Sequence, residues 1–120
     1  ITAINSVGPG LILDVETRRP VLAHGTGGLS GPGIRPIAVR CVRDVCQAVD
    51  VPVVATGGVS SGRDIVEMLL VGATAVSIGS AIQGRGIRVF EEACRELKEY
   101  MEKHGHASLE SLRGTAVINH

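Results

Sequence analysis

Apolar and polar positions change period several times along the chain, and each change marks an element. Ile1 to Ile4 is a short β-prone run that stops at a turn cluster over 5–10. Residues 11–14 and 20–23 are two more short β-like runs. The polar stretch 15–19 between them predicts a small β-hairpin. Residues 24–33 hold five glycines in ten. Each glycine loses much backbone entropy on ordering, so this stretch predicts a loop. From 34 to 50 the residues Ile34, Ala38, Cys41, Val45, Ala48 and Val49 recur near the 3.6 period, with Pro36 in the first turn, and predict a helix. The continuous apolar run 51–56 predicts a strand covered on both faces. A second helix opens at Ser61, with Asp64 three residues on as a capping box, and stops near Val71 before Gly72. Residues 75–79 predict another strand. Residues 87–104 predict the last long helix, with Phe90, Ala93, Leu97, Tyr100 and Met101 on one face and Gly105 as its stop. A further short helical piece is expected over 108–113.

Strands alternating with helices predict an α/β fold with a parallel sheet and helical crossovers. Only three core strands are legible, at 1–4, 51–56 and 75–79, and three parallel strands rarely complete a domain. A (β/α)₈ barrel takes about 250 residues. The 120 residues therefore read as one partial domain over 1–120, the size of half a barrel, with the hairpin as an insertion. The chain begins at Ile1 without a Met and reads as a piece of a larger protein.

Composition narrows the function. Twelve basic and twelve acidic residues leave a formal net charge of zero. That offers no basic footprint for nucleic acid and no polybasic membrane patch. The aromatics are Phe90 and Tyr100 alone, which argues against stacking on single strands. No run of about 20 apolar residues suggests a membrane span. Cys41, Cys46 and Cys94 are odd in number and lack a C-x-x-C spacing, so they read as buried small apolar side chains in a reducing cytoplasm. His24 sits alone on the glycine stretch. His104, His106 and His120 read as exposed helix-end or tail residues.

The 16 glycines carry the chemical signal. Gly57-Gly58 and Gly79-Ser80 stand just past two consecutive predicted strands. Glycine there lets backbone approach a ligand and leaves N–H groups free for an anion. In barrels, the loops after the last strands and a short extra helix form a recurrent phosphate site, and Ala81 to Gly84 fits that extra turn. The two junctions with the loop 27–33 point to phosphate binding. No G-x-G-x-x-G follows a strand, so a dinucleotide fingerprint is not supported. Asn5 and Ser6 close the first strand at the same end. An Asn there either ends the strand as a turn residue or offers a donor and an acceptor to a planar ligand.

Five pieces stand in order: Ala3-Ile4-Asn5-Ser6; Gly27-Gly28-Leu29-Ser30-Gly31-Pro32 with Ile34-Arg35-Pro36; Thr56-Gly57-Gly58-Val59; Gly72-Ala73; and Ile78-Gly79-Ser80. Together they resemble the C-terminal part of the dihydroorotate dehydrogenases, and the glycine run resembles the class 1B form. The resemblance implies an FMN-containing (β/α)₈ barrel, an oxidoreductase that converts dihydroorotate to orotate in pyrimidine biosynthesis. A base removes the C5 proton and a hydride leaves C6 for the flavin. By the same resemblance Asn5 and Ser6 match the substrate-binding pair. Ile4 matches a residue beside the flavin. Gly31, Gly57, Gly58, Gly79 and Ser80 match FMN-binding positions, the last four at the phosphate. The family often has Thr where Ser6 and Ser80 stand, and the hydroxyl is kept.

The resemblance also implies what is missing. The family's catalytic base and its flavin-contacting lysine lie upstream of the position matched by Asn5. None of the three cysteines stands in the matching context. No catalytic residue is therefore assigned, and the chain alone is expected to be inactive. The class 1B likeness implies an iron–sulfur, FAD-containing partner subunit that passes electrons to NAD, and a homodimer or heterotetramer for the complete protein. Two other readings are the pyrimidine-reducing domain of dihydropyrimidine dehydrogenase and a non-catalytic, phosphate-binding half-barrel. In the last, strand edges at 1–5 and 75–79 would invite self-pairing.

Overall fold

The computed structural model describes residues 1–118, so His120 lies outside the described residues. Eleven regular elements follow in order: β1 (Thr2–Ala3), β2 (Val7–Leu11), β3 (Leu13–Asp14), β4 (Arg19–Pro20), β5 (Thr26–Leu29), α1 (Arg35–Ala48), β6 (Val54–Thr56), α2 (Gly62–Leu70), β7 (Ala75–Ser77), α3 (Ala81–Arg85) and α4 (Val89–Lys103). Short 3₁₀ turns at Pro32–Ile34 and Leu109–Ser111 complete the chain. The first leads into α1, and the second is the short helical piece expected over 108–113, as a single 3₁₀ turn.

The centre is a three-stranded parallel sheet, ordered β1-β6-β7. Thr2 pairs with Val54, and Val54 with Ala75. The expected parallel α/β arrangement is present, with an open sheet whose edge strands are β1 and β7. Strand β6 is shorter than the predicted run because Pro52 has no N–H to donate to a ladder. The amino group of Ile1 uses the Pro52 carbonyl instead, at 2.9 Å. Helices α1 and α2 pack on the sheet and α4 packs on α2, around a core that includes Ala38, Val42, Ala55, Met68, Leu69 and Ala93.

Two helix faces differ from the predicted ones. In α1 the deeply buried position is Val42, with Cys41 only half-buried and Ala48 exposed. In α4 Val89 is buried, while Phe90 stands 40% exposed. Both shifts are one residue, the error expected when two adjacent apolar residues straddle a face. The predicted helix stops are found. Gly72 N–H donates to Leu69 and Ala73 N–H to Met68; Gly105 N–H donates to Glu102 and His106 N–H to Met101. Each pair is the 5→2 and 6→1 pattern of a Schellman ending. The stretch after Gly114 is also engaged, with Gly114 and Ala116 donating to Leu69 and Leu70.

The larger departure is the glycine stretch. Thr26–Leu29 is a strand, paired antiparallel with Val7–Leu11, which was expected as turn. Composition misleads here because two backbones approach too closely for side chains. A Cβ on Gly28 would come within 2.0 Å of Ser6 Oγ. The register shifts between Val7 and Gly10, around Gly8 and Pro9, where a bulge accommodates a residue without an N–H. The predicted hairpin exists but is shorter, Leu13–Asp14 against Arg19–Pro20. Its tip is closed by Asp14, whose Oδ1 accepts from Thr17 N at 2.8 Å and Glu16 N at 3.0 Å. Together β2–β5 form an arm, and Leu11, Ile12, Leu13, Val15, Val21 and Leu22 are exposed on it. The radius of gyration is accordingly 16.5 Å, against about 13–14 Å for a compact chain of this length.

Two measurements test these contacts. Gly62 starts α2 against α4: its N–H donates to Glu96 Oε2 at 2.7 Å, and an added Cβ would lie 2.4 Å from Leu97 N. Gly62→Ala should cost about 1–3 kcal/mol, read as a lower urea midpoint. The bonds from Thr17, first by its N–H, hold the Asp14 carboxyl below its usual value. A lowered folded pKa adds stability above the unfolded value and loses it as pH falls through the folded one. Amide protection at Glu16 and Thr17 should therefore persist at about pH 5 and fade below about pH 4, and Asp14→Asn should abolish that dependence.

Candidate functional site

Parallel strands all present their carboxyl ends on one side, and that side is where the predicted site residues gather. The segments leaving β1, β6 and β7 meet the turn at 30–34 around one cavity of about 670 Å³. Ile4, Asn5, Ser6, Gly31, Gly57, Gly58, Gly79 and Ser80 all line it. Every residue singled out from the sequence as substrate- or cofactor-binding thus reaches the same space.

The segment after β1 is anchored by Ile4, whose N–H donates to Thr56 O at 2.9 Å and extends the ladder by one bond. Ile4 is half-buried against the core. Asn5 and Ser6 follow and are exposed. Asn5 Oδ1 accepts from Ser6 N at 2.7 Å and lies 3.4 Å from Ser6 Oγ, so the amide oxygen shapes the local turn. The turn-residue and ligand-facing readings of Asn5 are compatible: the side chain makes the local bond and still borders the cavity.

The glycine pair after β6 is set by close approach. Gly58 has φ +74°, and a Cβ there would lie 2.7 Å from Gly31 O and 2.9 Å from Arg35 N. The Gly57–Gly58 turn is thereby packed on the start of α1. Gly79 and Gly31 differ, for a Cβ at either would meet nothing within 4 Å. Their backbones face open space. Gly79 O and Ser80 O accept from Ile82 N and Gln83 N, both at 3.1 Å, and start the short helix α3 that the sequence placed at 81–84.

Several lining residues were not singled out. Ser30 and Gln83 bring a hydroxyl and an amide to the wall, beside Thr2 and Thr56. Ser30 could have been found as the one hydroxyl between the glycines of the quoted run. Gln83 could have been found as the amide one turn into the expected extra helix. Among the described residues no lining side chain carries a titratable group. A second hollow of about 410 Å³ adjoins the first, bordered by Ser60, Ser80, Gly84 and Arg85.

The other candidates lie elsewhere. Cys41, Cys46 and Cys94 do not border the cavity. The expectation of three buried thiols is corrected: Cys41 and Cys46 are half-buried and Cys94 is exposed, because it sits on the solvent side of α4. Burial pushes the Cys46 thiol above its usual pKa, which disfavours the reactive thiolate. His24 is exposed and away from the cavity. His106 is half-buried, with Nδ1 2.8 Å from Ser111 Oγ, rather than the exposed tail residue expected. Among the described residues no group of three His, Cys, Asp or Glu is placed to hold a metal ion. No helix among them is long and apolar enough to cross a membrane.

Comparison with known proteins gives the family. Residues 1–101 match the family model described as dihydroorotate dehydrogenase. The chain is 47% identical over 116 residues to a Methanothermobacter thermautotrophicus protein named dihydroorotate dehydrogenase B (NAD(+)), catalytic subunit. It is 43% identical over 117 residues to the protein of that name from Pyrococcus horikoshii, and 43% identical over 118 residues to that from Citrifermentans bemidjiense. These alignments take in 97–98% of this chain and 38% of each relative. The chain therefore spans little more than a third of the length of the curated relatives it matches. On the family match over residues 1–101, the chain belongs to the dihydroorotate dehydrogenase family.

Proposed function

We propose that the chain is the C-terminal part of an FMN-dependent (β/α)₈ barrel that oxidises dihydroorotate to orotate in pyrimidine biosynthesis. Its own share would be the FMN phosphate site and part of the pyrimidine site. The observation that carries this reading is the meeting of Asn5 and Ser6 with three glycine turns around one cavity, in a chain of this family.

The residues present suit FMN. Open space at Gly31 and Gly79 leaves room for a ligand to touch backbone, and a cavity of about 670 Å³ falls within the range of cofactor pockets. Gly57, Gly58, Gly79 and Ser80 would hold the phosphate through backbone N–H groups and the Ser80 hydroxyl. Ile4 and Gly31 would lie against the flavin. Bound FMN supplies the two-electron acceptor for the oxidation. Asn5 and Ser6 would hold the pyrimidine. Asn5 keeps its Nδ2 as a donor while Oδ1 fixes Ser6, and Gly28 leaves space for the Ser6 side chain where any Cβ would displace it.

Among the described residues no titratable side chain lines the cavity, so in this reading the proton at the substrate carbon is taken by a base outside them. Removing a general base costs roughly 10²–10⁴-fold. The exposed apolar arm and the open sheet edges suit a chain completed by further structure. The relatives' name, catalytic subunit of an NAD(+) enzyme, supports a partner that carries electrons to NAD. We assign that role to an iron–sulfur, FAD-containing subunit, in a cytoplasmic heterotetramer built on a dimer of the complete chain.

The complete chain should purify yellow, with an FMN spectrum and dihydroorotate oxidation, while residues 1–120 alone should yield no orotate. A complete chain with neither FMN nor oxidation would overturn the reading. Gly79→Ala and Gly58→Ala separate binding from folding. Gly79→Ala adds a methyl to open cavity, so stability should move by less than about 0.5 kcal/mol while FMN affinity falls. Gly58→Ala meets backbone at 2.7 Å with a left-handed φ, and should lower stability by about 1–3 kcal/mol in thermal unfolding.

A further inference from the structure

The wall of the cavity is held from behind by one carboxylate. Asp64, in the first turn of α2, is the one buried charged side chain among the described residues. Its Oδ2 accepts from Ser60 N at 2.9 Å and from Ser60 Oγ at 3.2 Å. Its Oδ1 pairs with Arg35 Nη1 at 3.0 Å. Ser60 ends the glycine turn after β6, and Arg35 opens α1 with its backbone against Gly58. From the other side Arg85, the last residue of α3, donates Nη1 to the Ser60 carbonyl and Nη2 to Glu92 of α4.

Ser60 is thus gripped at its N–H, its hydroxyl and its carbonyl. Through it, three cavity-lining segments are tied together: 30–35, 57–60 and 79–85. Helix capping alone does not account for this. The N-cap bond of α2 is made by Ser61 Oγ, which accepts from Asp64 N at 3.2 Å. The Arg85 bond to Ser60 O belongs to no helix end of α2. A buried carboxylate is costly unless fully paired, and here each oxygen has a charged or N–H partner. Charge-assisted bonds are also short and directional, which suits a device that sets geometry.

We propose that Asp64 and Arg85 are positioning residues for a phosphate group. Acting through Ser60, they fix the spacing between the Gly57–Gly58 turn and the Gly79–Ser80 turn, and so set how strongly the site prefers a phosphorylated flavin over its phosphate-free form. The proposal rests on the FMN reading. It adds that the preference is set by side chains whose hydrogen bonds go to Ser60.

The test titrates the apo form of the complete chain with FMN and with riboflavin, following quenching of flavin fluorescence, for wild type, Asp64→Asn, Arg85→Gln and Glu67→Gln. Asp64→Asn and Arg85→Gln should each weaken FMN about tenfold or more and leave riboflavin affinity unchanged, because only FMN carries the phosphate. Combining them should weaken FMN by less than the product of the two effects, since both act on Ser60. Glu67 also pairs with Arg35, at 3.0 Å, but makes no bond to Ser60. Glu67→Gln should leave both affinities as in wild type. Equal weakening of both flavins in Asp64→Asn and Arg85→Gln would mark a structural role and overturn the proposal. So would unchanged FMN affinity. If Asp64→Asn does not fold, Arg85→Gln, at a side chain 38% exposed, decides alone. A wild type that binds no FMN removes the functional reading and the proposal with it. A wild type that binds FMN beside indistinguishable variants overturns the proposal alone.

Discussion

A parallel sheet sends every strand out on the same side, and the rest of this molecule depends on that constraint. β1, β6 and β7 deliver three connecting segments into one small volume. Segments crowded that way collide unless some residues give up their side chains. Gly58 lies where a Cβ would strike Gly31 O, and Gly57 where one would strike the Ala38 methyl at 2.6 Å. The glycines after β6 are therefore first a packing requirement, and the cavity is what the packing leaves. Gly79 and Gly31 have no such neighbours. Packing does not explain them, whereas the proposed FMN against the backbone would.

Much of this was legible in the sequence. Parallel α/β order, the three core strands and the helix stops follow from periodicity and turn chemistry, and eight of the residues around the cavity were marked by the glycine turns and the resemblance to dihydroorotate dehydrogenases. What failed, failed for nameable reasons. Thr26–Leu29 looked like loop because glycine's entropic cost is a local property, whereas its strand pairing with Val7–Leu11 depends on contact with Ser6, twenty-two positions away from Gly28. Cys94 looked buried because a small apolar residue beside Ala93 fits either side of a helix. Asp64 was read as a cap. Its bonds to Arg35 and Ser60 cross between elements, and nothing local announces them.

The cavity's chemistry is as informative in what its walls hold. Hydroxyls, amides, glycine backbone and the apolar Ile4, Ile34 and Val59 surround it, and among the described residues no ionisable side chain does. Such a surface can orient a polar ligand through hydrogen bonds. It cannot move a proton at neutral pH, because serine, threonine and amide side chains do not titrate there. Binding and proton transfer are therefore divided between different parts of the chain in the proposed reading. That division fits a family whose curated members, at 38% coverage, run far beyond the aligned segment.

An uncharged wall places a particular demand on anion binding. A lysine or arginine at the ligand can follow a misplaced phosphate, since its charge acts over distance. Backbone N–H groups cannot, because their attraction falls steeply with distance and angle. The two guanidiniums nearest the cavity are both committed to protein partners, Arg35 to Asp64 and Glu67, and Arg85 to Ser60 O and Glu92. In the proposed reading a phosphate held by backbone relies on the accuracy of these turns, and accuracy in glycine-rich turns has to come from outside them. The bonds converging on Ser60 supply that restraint: they take up the conformational freedom that the close packing of Gly57 and Gly58 made necessary.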